Sequence, residues 1–142
     1  MNANFRHCLR LCRIALDISE AMNLNMSVVA TDLGGHPSVV MRGDRTSFAT
    51  LEAARRKAVA ASAMQLSTKA LADLFNTDPL VSVAVHASGE MLVVPGGFPI
   101  IFDKGCIGGL GIAGGHYSED DMVGEKAFRA LLSGSTSGES DD

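Results

Sequence analysis

GGLGIAGGHYSEDDM (residues 108–122) is the stretch on which the fold of this chain turns. Gly109, Gly111 and Gly114 match G-x-G-x-x-G, the formal fingerprint of a dinucleotide cradle. That fingerprint must follow a strand, open a helix inside a βαβ unit, and meet an acidic residue about 20 positions on. Here Gly109 and Gly111 fall inside an apolar run, 106–113, that itself reads as a strand. The residues after Gly114 hold one helix and a tail, with no second strand. The helix opens with Ser118, Glu119, Asp120 and Asp121, so carboxylates already occupy the positive end of its dipole and would repel a phosphate. The stretch is therefore a glycine-rich strand feeding a capped helix. Ser118 is the expected N-cap and Asp121 the expected capping-box acid. Glycines inside the strand allow a ligand or another chain to come close.

Outward from this stretch, residues 4–22 carry a narrow stripe of Arg6, Arg10, Arg13, Asp17 and Glu20 on an otherwise apolar helix. Residues 26–32 and 38–42 are strand-like, joined by the turn LGGHP. An alanine-rich helix follows over 47–64, then a short one over 67–75 that Ser67 caps and Asp78-Pro79 ends. Residues 80–86, 90–94, 98–102 and 106–113 read as short strands separated by the turn-like ASG, PGG and DKG. A last helix spans about 119–132. Consecutive short connections imply an antiparallel sheet, since parallel neighbours each need a crossover. The fold class is α+β, helices packed on one sheet. Residues 1–132 form a single domain, and 133–142 (SGSTSGESDD) are expected to be a disordered acidic tail.

Composition excludes several classes of function. The net charge is −4 with no dense basic cluster, Trp is absent and there is one Tyr, so nucleic acid is not an expected partner. No apolar run reaches the ~20 residues of a membrane span. Arg6, Arg10 and Arg13 interrupt any signal-peptide core, so the expected location is cytoplasmic. Three cysteines fit a reducing compartment better than a disulfide framework.

Candidate chemistry rests on few side chains. Cys8 and Cys12, with His7 beside them, share the apolar face of the first helix, but no further ligand follows at metal-site spacing, so they are expected core cysteines. Cys106 lacks a local catalytic signature. His36 and His116 each follow a Gly-Gly pair, and His86 closes a strand-like run. Strand ends are where sheets present ligands, so these three are candidates for a metal centre, an anion site or proton transfer. Arg42, Arg55, Arg56 and Lys57 could serve a carboxylate-bearing ligand.

Three stretches together resemble one family. SVVATDLGGHPSVVMRGD (27–44), LEAARRKAVAASAM (51–64) and VVPGGFPIIFDKGCIGGLGIAGGHYSEDDMVGEKAF (93–128) are similar, in the same order, to the hairpin, helix and glycine pattern of the GlcG/HbpS-like haem-binding family. That family is related to the C-terminal domain of PduO-type corrinoid adenosyltransferases. Lys57 falls on the family's lysine, while Thr31-Asp32 and His116 depart from its usual residues. The resemblance implies a profilin-like or PAS-like α/β/α sandwich around a five-stranded antiparallel sheet. It also implies a homo-oligomer that binds haem, as some members do, or a small cytoplasmic protein of a catabolic operon.

Three functions follow as expectations. The first is a haem or related cofactor site, with His36 or His116 on the iron, Arg42, Lys57, Gly96 and Gly97 around the ligand, and the PGGFPIIF strand as one wall. The second is a small isomerase, tautomerase or hydrolase acting on an unsaturated organic acid. There His36, His86 or His116 would be general acid/base, and Arg42 or Lys57 would hold a carboxylate. The third is a non-catalytic oligomeric accessory protein.

Overall fold

The computed structural model describes residues 2–135. Helix α1 runs Ala3–Ala21, with the Asn2 side chain accepting from the Asn4 N–H as its cap. Strands β1 (Ser27–Asp32) and β2 (Pro37–Arg42) form the first hairpin. Helix α2 (Phe48–Met64) starts at the Ser47 cap and stops where Gln65 turns left-handed, φ 55°. Helix α3 (Thr68–Phe75) starts at Ser67, as expected, and α4 spans Pro79–His86. Strands β3 (Gly97–Phe102) and β4 (Gly105–Ala113) form the second hairpin, and α5 (Tyr117–Ser135) closes the fold.

The class is α+β, as read, but the sheet is four-stranded and antiparallel, in the order β2-β1-β4-β3. The five-stranded expectation is corrected. Residues 80–86 are α4, because Asp78 accepts from the Val81 N–H at 3.4 Å and Pro79 occupies the first helical position. That cap overrides the β-branched alternation, and none of the helix's residues is buried. Residues 90–94 join no strand; Met91 and Val93 instead pack on α2 and α3 with Leu71 and Phe75. Of the expected tail, 133–135 continue α5 and 136–142 lie outside the described residues.

The two faces of the sheet are built differently. Val28 and Ala30 of β1, with Leu110 and Ile112 of β4, face α1 and α5 and bury against Leu11, Cys12, Val123 and Ala127. Each large apolar side chain fully buried there contributes roughly 1.5–3 kcal/mol. The opposite face carries Gly109, Gly111 and Ala113 of β4. A Cβ at Gly111 would overlap the Ala54 carbonyl oxygen, and one at Gly109 the Ala58 carbonyl oxygen. The strand glycines are thus the seat of α2. What approaches them closely is the chain's own alanine-rich helix, whose Ala54 and Ala58 complete a small second core with Val29.

Candidate functional site

A groove of about 720 Å³ lies beside the edge strand β3. Phe98, Pro99 and Ile101 of β3 form one wall, Phe128, Leu131 and Leu132 of α5 another, and His7 reaches it from α1. Gly124 permits this shape, because the Phe98 ring sits where a Cβ of residue 124 would be. Phe98 and Phe128 meet at tilted rings, centroids 5.6 Å apart. The polar groups are few: Ser67, Lys69, Asp121, Glu125 and Arg129. Such a lining, apolar walls with a handful of placed polar groups, is the usual make-up of a small-molecule site.

His7 is half-buried and packs on the Phe102 ring at 4.2 Å between centroids. Burial, and then the nearby Arg10 charge, lower its pKa, so the imidazole is neutral near pH 7. A neutral imidazole offers a nitrogen lone pair, the form in which histidine binds a metal. Arg129 lies 3.8 Å from Glu125. Lys69 lies 4.0 Å from Asp121 and is largely exposed.

A second cavity, about 420 Å³, sits where β4 turns into α5. Its floor is a buried ion pair: Lys57 Nζ donates to Asp120 Oδ2 at 2.8 Å and to the Ile112 carbonyl at 2.9 Å. Gly96, at φ +122°, accepts from the Ile112 N–H at 2.9 Å, while Lys57 supplies the donor to the Ile112 carbonyl. Burial lowers the Lys57 pKa and raises that of Asp120, and each charge opposes the shift of the other. Gly115 N–H gives Asp120 Oδ1 a second donor at 3.0 Å.

His116 lines this cavity and is the true cap of α5. Its backbone carbonyl accepts from the N–H groups of Glu119 and Asp120, while Glu119 Oε1 accepts from His116 N–H at 2.9 Å. The expected cap on Ser118 and capping-box role of Asp121 are therefore corrected by two residues: the box is His116 with Glu119. The Ser118 N–H donates to His116 Nδ1 at 3.2 Å, and Ser118 Oγ lies 2.8 Å from the same nitrogen.

The structure disperses the other candidates read from sequence. His36 lies exposed on the β1–β2 turn, 3.4 Å from Asp32. His86 pins the following segment: its Nδ1 lies 2.9 Å from the Ser82 carbonyl and its Nε2 accepts from Val93 N–H at 2.9 Å. Of the groove, the second cavity and a third of about 330 Å³ at the start of α1, none is lined by His36, His86 or Arg42. Arg42 is exposed at the end of β2. Lys57 is engaged in the core. A Cβ at Gly96 would meet Lys57 Nζ at 2.8 Å and one at Gly97 the Lys57 carbonyl at 2.6 Å, so packing explains both glycines. The β3 strand does wall a slot, as read. Cys8 and Cys12 are core residues, and among the described residues no cluster of three His, Cys, Asp or Glu could hold a metal ion. No helix among the described residues is long and apolar enough to cross a membrane. Of the groove residues His7, Lys69 and Asp121, the sequence marks as a candidate ligand none but His7, at the edge of an apolar helix face beside Cys8.

The family model described as haem degrading protein HbpS-like matches residues 4–129. The chain is 28% identical over 129 residues to the corrinoid adenosyltransferase PduO of Salmonella typhimurium, covering 90% of this chain and 38% of that protein. It is 24% identical over 113 residues to an uncharacterized 15.0 kDa protein of the dhaT-dhaS intergenic region of Citrobacter freundii, covering 78% and 80% of the two. It thus spans under two-fifths of the length of the adenosyltransferases it matches, 38% and 39%. In structure it is similar to PduOC in complex with heme, with 27% identity, TM-score 0.79, and coverage of 92% of this chain and 94% of that one. It shares its fold with a double mutant of HbpS from Streptomyces reticuli, with 23% identity, TM-score 0.81, and coverage of 92% and 88%.

Proposed function

This chain belongs to the HbpS-like family, and we propose that it binds haem or a closely related tetrapyrrole in the groove beside β3. The observation that carries the reading is the groove itself, about 720 Å³ walled by Phe98, Phe128 and Leu132 and reached by one neutral imidazole, His7. The residues fit the group. Aromatic and aliphatic walls suit the macrocycle, His7 would ligate the iron, and Lys69 and Arg129 would pair with the propionates. The heme complex of PduOC supports the reading. Iron ligation thereby passes from His36 and His116, which do not line this groove, to His7. When bound, haem supplies redox-active iron; the chain's part is to hold it, exclude water from one face and fix the ligand nitrogen. Ile101 and Leu132, 59% and 69% exposed at the groove, favour a homo-oligomer in which a second copy covers its open side.

Titration with haem tests this. Wild type should give a saturable Soret shift, His7→Ala should weaken binding at least tenfold, and His36→Ala and His116→Ala should bind as wild type. Absence of a Soret shift, or an unchanged His7→Ala, would sink the reading.

One observation favours a second reading. His116 lines the smaller cavity above the buried Lys57–Asp120 pair, and an exposed imidazole there is suited to proton transfer on an organic acid. Turnover of unsaturated dicarboxylates that His116→Ala abolishes, in the absence of haem, would select it.

A further inference from the structure

Asp121 is the polar group of the groove that its own surroundings leave unsatisfied. Its side chain is nine-tenths buried, 9% exposed, yet Oδ1 has no hydrogen-bond partner among the described residues. Oδ2 lies 4.0 Å from Lys69 Nζ, a long ion pair, and Lys69 is 61% exposed. A buried carboxylate oxygen without a donor is costly, and native structures rarely keep one without a use. The groups around it are these. From α2, Lys57 is already committed to Asp120 and the Ile112 carbonyl. From α3 comes Lys69. From its own helix, Glu125 adds a like charge, and Arg129 stands by Glu125. The Gly96 backbone N–H faces the carboxylate and opposes the rise in its pKa. His7 lines the same groove. Burial first, and then Glu125, raise the Asp121 pKa.

We infer that Asp121 and Lys69 form a proton-linked clamp for a carboxylate of the bound ligand, so that binding takes up one proton. The inference rests on the tetrapyrrole reading above and adds to it a specificity device. An incoming propionate is drawn to Lys69, whose one ion-pair partner among the described residues is the distant Asp121. Two carboxylates then share one ammonium in a half-desolvated groove. Like charges so placed do not both stay ionised, and one proton from solvent is retained between them. It resides on Asp121, the carboxyl that burial already disfavours as an anion, and the carboxylic acid donates it in a hydrogen bond to the propionate. The groove therefore selects an apolar ligand that ends in a carboxylate, and discriminates against its neutral ester.

Metal-free protoporphyrin IX tests this without iron, so ligation by His7 drops out. Its fluorescence titration is run from about pH 6 to about pH 9 with wild type and Asp121→Asn, and repeated with the porphyrin dimethyl ester. Wild-type affinity for the free acid should fall as pH rises, approaching tenfold per pH unit where the free protein has lost the proton and the complex keeps it. Asp121→Asn should be flat with pH and bind more tightly than wild type at the alkaline end. The ester should bind both proteins without pH dependence, and equal ester affinity shows that the variant's groove is intact. A flat wild-type profile, a slope retained in Asp121→Asn, or the same slope with the ester would overturn the clamp. In each of those cases porphyrin still binds and the tetrapyrrole reading stands. If wild type binds neither porphyrin, that reading falls and the clamp falls with it. Should Asp121→Asn not fold, the wild-type contrast between acid and ester still decides.

Discussion

Lys57→Met is the perturbation that most directly tests how this fold is held at its centre. The substitution keeps the length and apolar stem of the side chain and removes the ammonium. Asp120, equally buried, loses a 2.8 Å partner, and the Ile112 carbonyl loses a 2.9 Å donor at the end of the β3–β4 ladder. Among the described residues, the Asp120 side chain keeps the Gly115 N–H as its one donor. Removing one partner of a buried pair leaves an uncompensated charge, which destabilises by about 3–5 kcal/mol. For a domain of this size that lowers Tm by roughly 10–20 °C. The loss is pH-dependent, and its sign follows from Asp120. Burial already raises that carboxyl's pKa, and Lys57 is the first force opposing the rise. Without Lys57, the folded-state value lies further above the unfolded one, and the native state binds more protons than the unfolded chain. Stability of the variant therefore increases as pH falls through the folded-state value, and the gap to wild type narrows towards acid. Urea unfolding of wild type, Lys57→Met, Asp120→Asn and the double variant, at neutral and mildly acidic pH, measures both effects. The double variant should lose clearly less than the sum of the singles. A loss under about 1 kcal/mol, additive singles, or a gap that widens in acid would refute the argument.

Gly111→Ala should destabilise by about 3 kcal/mol or more, since its Cβ would overlap the Ala54 carbonyl oxygen, whereas Gly105→Ala, with open space around it, should stay within about 0.5 kcal/mol; chemical denaturation of the two compares them directly. Glu119→Ala removes the acceptor for His116 N–H and should lower stability by about 1 kcal/mol in the same assay; no change would mean that His116 is not the cap. His86→Ala leaves the Val93 N–H without its acceptor, so hydrogen exchange at Val93 should speed up while Val28 and Ile112 in the sheet stay protected. Equal exchange at Val93 in both proteins would remove the pinning role assigned to His86.

Much of the fold can be read along the chain because its causes are local. The polar stripe of α1, the cap at Ser67, the Gly-Gly turn of the first hairpin and the glycine pattern of β4 all act within a few residues of themselves. A nucleotide cradle is excluded on equally local grounds: glycines inside a strand and acids at a helix start. Residues 80–86 misled for the same reason. Their alternation is strand-like, but a strand needs a free ladder edge, and Asp78 and Pro79 set a helix start one step before them. The cap of α5 shifted by two residues because an imidazole can accept an N–H, a role that composition does not announce.

The site was less visible. Three histidines stand out in the sequence for their place beside turns. The structure gives them three separate duties: His36 on an exposed turn, His86 as a pin, His116 as a cap. A groove exists only where α1, β3 and α5 come together, and no residue on one of these elements carries a mark of the other two. His7 is separated from Phe98 and Phe128 by most of the chain, and its neutrality comes from burial, which sequence spacing does not encode. The sequence by itself determined the class of fold, the glycine-rich strand that lets another segment come close and the family pattern, because these follow from side-chain size and backbone freedom at neighbouring positions; that α2 is the segment seated there came from the structure. Only the tertiary structure decided that Lys57 is buried in a pair rather than offered to a ligand, and that Asp121 lacks a partner. Both outcomes depend on how much water is excluded by elements distant in sequence.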